Sequence, residues 1–165
     1  MQPRAAPLAD LPVQEVLERL AARTPGPGAG TAAALTCTLA ASLVEMAARF
    51  DSSVMAEARV VRASALRERA LLLAEQECSS YEPVLDALAM PADNPQREQR
   101  LAAARSSAST TPLAIAGVAA QLATLAAESA QSGSEHLIGE AVAAAEIADG
   151  ACRAAAHLVR INLQG

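Results

Sequence analysis

Residues Pro25 to Ala48 read PGPGAGTAAALTCTLAASLVEMAA. The first six residues, Pro25 to Gly30, hold two prolines and three glycines. That density excludes a helix and predicts a loop. Thr31 is the expected N-cap of the segment that follows. From Ala32 to Ala48 every face is apolar or small, and no charge appears before Glu45. A helix that is apolar all round is buried all round. This stretch therefore predicts a helical bundle with helix 32–48 at its centre, entered through a Pro/Gly loop.

The rest of the chain agrees with that reading. Its 165 residues fit one domain, 1–165, long enough to bury a core. Hydrophobic residues make up 52% and charged residues 19%, which argues against disorder. Phe50 and Tyr81 are the two aromatic residues, so Ala, Leu and Val must fill the core. Ala is the best helix former and lets helices approach closely. Alternating β-branched and aromatic runs are missing, and the predicted class is all-α, a multihelical up-and-down bundle.

Residues 1–9 read as a loose tail. Asp10 and Pro12 open a first helix with a stripe of Val13, Val16, Leu17 and Leu20. A third helix is expected over 54–80, with Val54, Ala58, Val61, Ala65, Leu72 and Leu73 facing inward. Pro83 restarts the chain before 84–90, and Asn94-Pro95 opens a helix to about Ser107. Ser109, Thr110 or Thr111 caps the next helix, with Pro112 in its first turn. Ser134 is the expected cap of a last helix reaching about Asn162. Gly117, Gly139 and Gly150 inside these helices predict a close neighbour.

Several function classes are excluded or disfavoured. The net charge of −5 speaks against nucleic acid, which needs a basic surface. All 13 basic residues are Arg, so no lysine can form a Schiff base. Cys37, Cys78 and Cys152 make neither a disulfide framework nor a zinc pattern, and no metal is expected. His136 and His157 lack metal spacing and read as surface or packing residues. The uncharged run Thr24 to Val44 is loop in its first third and Ala/Thr-rich beyond, which fits a buried helix better than a membrane span. Residues 1–12 carry no apolar export segment, so the expected location is the cytoplasm.

Two features offer chemistry. The loop Pro27-Gly28-Ala29-Gly30-Thr31 presents backbone N–H groups and a positive helix end, suited to an anionic or polar ligand or simply to a helix–helix turn. It is neither a phosphate-binding P-loop nor a dinucleotide fingerprint. Glu45, Glu77 and Glu140 lie in apolar surroundings, where burial raises a carboxyl pKa toward acid–base use. The alternative for each is an exposed group or a partner of Arg.

With these residues in view the chain resembles the formiminotetrahydrofolate cyclodeaminase and methenyltetrahydrofolate cyclohydrolase family. The resemblance rests on Pro27 to Thr31 entering the Ala-rich helix, on Val44-Glu45-Met46, and on Glu75 to Tyr81. It continues through Pro112-Leu113, Gly133, Gly139-Glu140-Ala141 and the closing Val159 to Leu163. Ala29 and Thr31 stand where the family loop has Gly and Ser, and Glu77 and Glu140 where Asp is expected. The resemblance implies a homodimeric helical bundle in one-carbon metabolism that binds a reduced folate, with no other cofactor. It implies hydrolysis of the methenyl bridge or deamination of the formimino form. Pro27, Gly28, Ala29, Gly30 and Thr31 would contact the folate, and Glu140 and Glu77 would be catalytic. The alternative is a non-catalytic helical homodimer of the same fold that takes another small ligand.

Overall fold

The structure, a computed structural model, describes residues 6–132 and 135–164. Among these residues there are seven α-helices and two 3-10 turns and no strand. The helices are α1 (Val13–Ala21), α2 (Ala29–Arg49), α3 (Ala56–Glu77), α4 (Glu82–Ala89), α5 (Arg97–Ala108), α6 (Thr110–Ser132) and α7 (Ile138–Gln164). The 3-10 turns are Leu8–Asp10 and Glu135–Leu137. Gly133 and Ser134 lie outside the described residues.

The all-α bundle expected from the sequence is the fold found. Helices α2, α3, α6 and α7 run alternately up and down, and α2 packs against the other three. The contact faces are built from alanine. Ala34, Ala40, Ala41, Ala63, Ala74 and Ala148 are all fully buried, interleaved with Leu73, Ile115 and Leu122. Small side chains on both faces allow short interaxial distances, so the core is dense without aromatic bulk. One stripe of α2 looks outward, with Leu39 63% exposed. Together with Leu11, Val16 and Leu20 it lines an apolar groove of about 410 Å³ between α1 and α2.

Four local expectations are corrected. Helix α2 starts at Ala29, capped by Gly28, so Ala29 and Gly30 are helical and Thr31 is not the cap. Leu8 is buried in the main core and its N–H donates to Glu75 Oε1, so the chain is anchored before Ala9. Pro12, rather than Asp10, occupies the cap of α1. Of the residues expected inward Leu73 is buried, but helix α3 otherwise turns a different face to the core: Arg59, Ala63, Ala70 and Ala74 are buried, whereas Val61 is 63% and Leu72 57% exposed, as is Val54, just before the helix, at 98%. The sequence offers two stripes, one of Val and Leu and one of Ala. The close approach to α2 selects the smaller one. Arg59 tolerates burial because Asp51 meets its guanidinium at 2.7 Å, and Asp51 also accepts from the Ser53 N–H and hydroxyl.

Helices α5 and α6 follow one another with Ser109 alone between them. Pro112 lies one turn beyond and is fully buried. Proline has no N–H and cannot bond the carbonyl four residues back, which is that of Ala108. That carbonyl instead accepts from Asn162 Nδ2 of α7 at 2.9 Å. Helices Ala29–Arg49 and Arg97–Gln131, the latter spanning α5 and α6, are long and apolar enough to cross a membrane; half of the first is buried within the bundle.

Candidate functional site

A cleft of about 230 Å³ opens where the N-terminus of α2 meets the end of α3 and the end of α7. Pro25, Gly28, Ala29 and Gly30 form one wall, Glu77, Ser80 and Tyr81 a second, and Leu158, Ile161 and Asn162 a third. The loop is forced against α3. A Cβ on residue 26 would collide with the Cys78 carbonyl, and one on residue 30 with the Glu77 carboxyl. At residue 26 the neighbour is backbone, so glycine is required by approach and not by backbone conformation; at residue 30 the neighbour is a side chain, which a Cβ would push aside. Ala29 is the first helical residue and needs no left-handed freedom, so alanine there supports the helix.

Glu77 is the last residue of α3, and its carboxyl is turned in against Gly30. Its Oε2 is buried and has no hydrogen-bond partner among the described residues. Burial pushes the carboxyl above its usual range, and the nearby Ser80 hydroxyl offsets part of the rise. Among the described residues Glu77 supplies the only carboxylate of the cleft wall, and none of those lining it is an Arg. The backbone N–H groups of Ala29, Gly30 and Thr31 have no acceptor within the helix. The Glu77 carboxylate already faces this positive end, so an anionic ligand meets repulsion there. A cation, or a ring edge rich in N–H groups, would give Oε2 the partner it lacks.

The structure brings some of the expected site residues together and separates others. Gly28, Ala29, Gly30 and Glu77 share the cleft. Pro27, half-buried and joined to Gly26 by a cis bond, is not among its lining residues. Thr31 is fully buried, with its hydroxyl 3.8 Å from Cys78 Sγ, and does not line the opening. Glu140 lies in the first turn of α7, whereas the cleft takes the last turns. The 18 residues from Glu140 to Leu158 place them roughly 27 Å apart at helical rise. One chain therefore does not put both carboxylates on one ligand.

Glu45 follows the structural alternative. Arg49 binds one of its oxygens at 2.6 Å and Arg67 the other at 3.2 Å, and Arg49 foremost holds its carboxyl below the usual range. Cys37 is sealed in the core, and burial pushes its thiol up to about 12. Among the described residues no group of three or more His, Cys, Asp and Glu side chains could hold a metal ion. Sequence reasoning from chemistry missed Ser80, Leu158 and Ile161, which carry no distinguishing type. Asn162 had a readable signal in Pro112, whose missing N–H leaves a carbonyl that something must satisfy.

Comparison with known proteins places the chain in a family. No curated protein matches the chain. The crystal structure of formiminotetrahydrofolate cyclodeaminase from Thermotoga maritima superposes with a TM-score of 0.86 at 24% identity, over 94% of this chain and 80% of that one. At that identity the likeness establishes the fold. The family model of formiminotransferase-cyclodeaminase matches residues 12–165, nearly the whole sequence. The chain belongs to the formiminotransferase-cyclodeaminase family.

Proposed function

We propose that the chain is a cytoplasmic enzyme of folate one-carbon metabolism that binds the reduced pterin end of its substrate in the cleft between α2, α3 and α7. The observation that carries this reading is the buried Glu77 Oε2, which lacks a hydrogen-bond partner in a cleft whose described lining holds no Arg. A volume of about 230 Å³ suits a fused ring rather than a whole folate, given that sites for drug-sized ligands start near ~300 Å³. The remainder of the molecule would extend past the rim.

Hydrolysis of the methenyl bridge fits the cleft better than deamination. The methenyl form is an amidinium-like cation, and an unpaired carboxylate beside it supplies the missing counter-charge. As a water oxygen bonds to the bridge carbon, Glu77 takes a proton from it. The remaining hydroxyl proton moves to a ring nitrogen as that nitrogen's bond to carbon breaks, leaving the formyl product and one released proton. Pro27, Gly28, Ala29, Gly30 and Thr31 are proposed as the binding loop. Within it Gly28, Ala29 and Gly30 touch the ligand, and Thr31 supports them from behind. Glu140 can serve this cleft only when a second copy contributes it, so we place it as a catalytic residue of a homodimer.

Purified protein should accelerate the loss of methenyltetrahydrofolate absorbance, and Glu77→Gln should lower kcat by about a hundredfold or more. No acceleration, together with no heat of folate binding in calorimetry, would overturn this reading. The distance from Glu140 to the cleft favours one second reading, a non-catalytic homodimer of the same fold that holds another small ligand. In that case Glu140→Gln leaves any cellular phenotype unchanged, and a lost phenotype with intact folding would count against it.

A further inference from the structure

Helices α4 and α5 form a hairpin set apart from the main bundle. They pack chiefly on one another, and Val84, Ala104, Ala108 and the half-buried Leu101 make a small hydrophobic cluster of their own. Both roots of the hairpin reach the cleft. At the first root, Ser80 and Tyr81, just before α4, line it. At the second, the last carbonyl of α5 is bonded by Asn162, which lines it too. The second root is also where the backbone ladder is interrupted. Pro112 cannot bond the Ala108 carbonyl, so Asn162 supplies that one rung of the α5–α6 rod, between the main-chain bonds from Ser109 N–H to the Arg105 carbonyl and from Leu113 N–H to the Ser109 carbonyl.

We infer that Asn162 is a positioning residue: through the carbonyl that Pro112 leaves vacant it tethers the α4–α5 hairpin, residues 82–108, which acts as a hinged leaf closing on the occupied cleft. With one backbone rung replaced by a side chain and only slight packing of α5 on α6 and α7, the leaf opens more readily than the bundle. A ligand against Asn162 and Tyr81 contacts both roots and favours the closed leaf. The closing leaf covers the part of a ligand that the cleft alone cannot hold. The identity of that ligand rests on the folate reading above; the tether does not.

Hydrogen exchange of the full chain tests the inference. Without ligand, the amides of α4 and α5 should exchange about tenfold or more faster than those of α2 and central α7. Asn162→Ala should speed exchange in α5 further and leave α2 unchanged. Pro112→Ala restores an N–H for the Ala108 carbonyl, so in that background Asn162→Ala should have no added effect on α5. A hairpin that exchanges together with the core, or an Asn162→Ala effect that persists in the Pro112→Ala background, overturns the tether. Should either substitution impair folding, Val84→Ala replaces them: it loosens the hairpin cluster and must raise exchange in α4 and α5 alone. Failure of native protein to bind 5-formyltetrahydrofolate in calorimetry counts against the folate reading and leaves the unliganded comparisons to decide the tether. Binding without added protection of the hairpin counts against the leaf.

Discussion

At Glu77 function and stability pull in opposite directions. Its folded carboxyl titrates above the ordinary value of 4.5 because burial penalises the charge. A group raised in this way contributes stability fully below its unfolded pKa and loses it as pH rises through the folded one. The native protein therefore carries a penalty at neutral pH that a neutral side chain avoids. Glu77→Gln should melt at a higher temperature than native protein at about pH 7, and the difference should vanish below about pH 4. Equal melting curves at both pH values would show that the carboxylate is solvated after all. Gly30→Ala pushes the same carboxyl aside, since the new Cβ would occupy its place. It should weaken ligand binding with little change in melting temperature, which calorimetry on one preparation can read. Cys37, with its thiol pushed up to about 12, should resist thiol reagents until the protein unfolds.

Helices α2 and α3 are joined through charge at one end and through alanine along their length. Asp51 and Glu45 are both held below their ordinary values, by Ser53 and Arg59 in one case and by Arg49 and Arg67 in the other. Depressed carboxylates give stability above their unfolded pKa and lose it as pH falls through the folded one. Acid unfolding should thus set in below about pH 4. Arg59→Met should lower the melting temperature, and much less so when Asp51 is already replaced by asparagine, because the cost lies in stranding that carboxylate. Along the helices, Ala40 is fully buried at the close approach. Ala40→Leu should destabilise by about 1–3 kcal/mol in denaturant unfolding, because the extra methylenes have no room. An unchanged midpoint would mean that the helices can part without cost.

Across the whole molecule, the apolar surface is more than one chain covers. Leu39 with the α1–α2 groove, and Val61 and Leu72 on α3 with Val54 just before it, stand exposed in stripes. Stripes of this kind mark interaction surfaces, and they support the proposed homodimer. Sedimentation should find a dimer, and Leu39→Glu should shift it toward monomer; a native chain that sediments as a monomer at micromolar concentration would remove that support.

The sequence by itself determined the class of the fold, the central helix and the place of its loop. These follow from composition and local periodicity, which act within one segment: a Pro/Gly run interrupts a helix, and an Ala-rich run without charge must be covered. It also marked Glu77 as a carboxylate in apolar company. What it could not determine depends on which faces meet. Only the packed structure chose the alanine stripe of α3 over the valine one, because close approach between helices selects for size. Only the packed structure joined Glu77 to Gly30 and Asn162 to the carbonyl vacated by Pro112, and left Glu140 at the far end of α7. Partners 47 and 54 residues apart (Gly30 with Glu77, Ala108 with Asn162) have no local signature. Their meeting is set by how antiparallel helices of given length align.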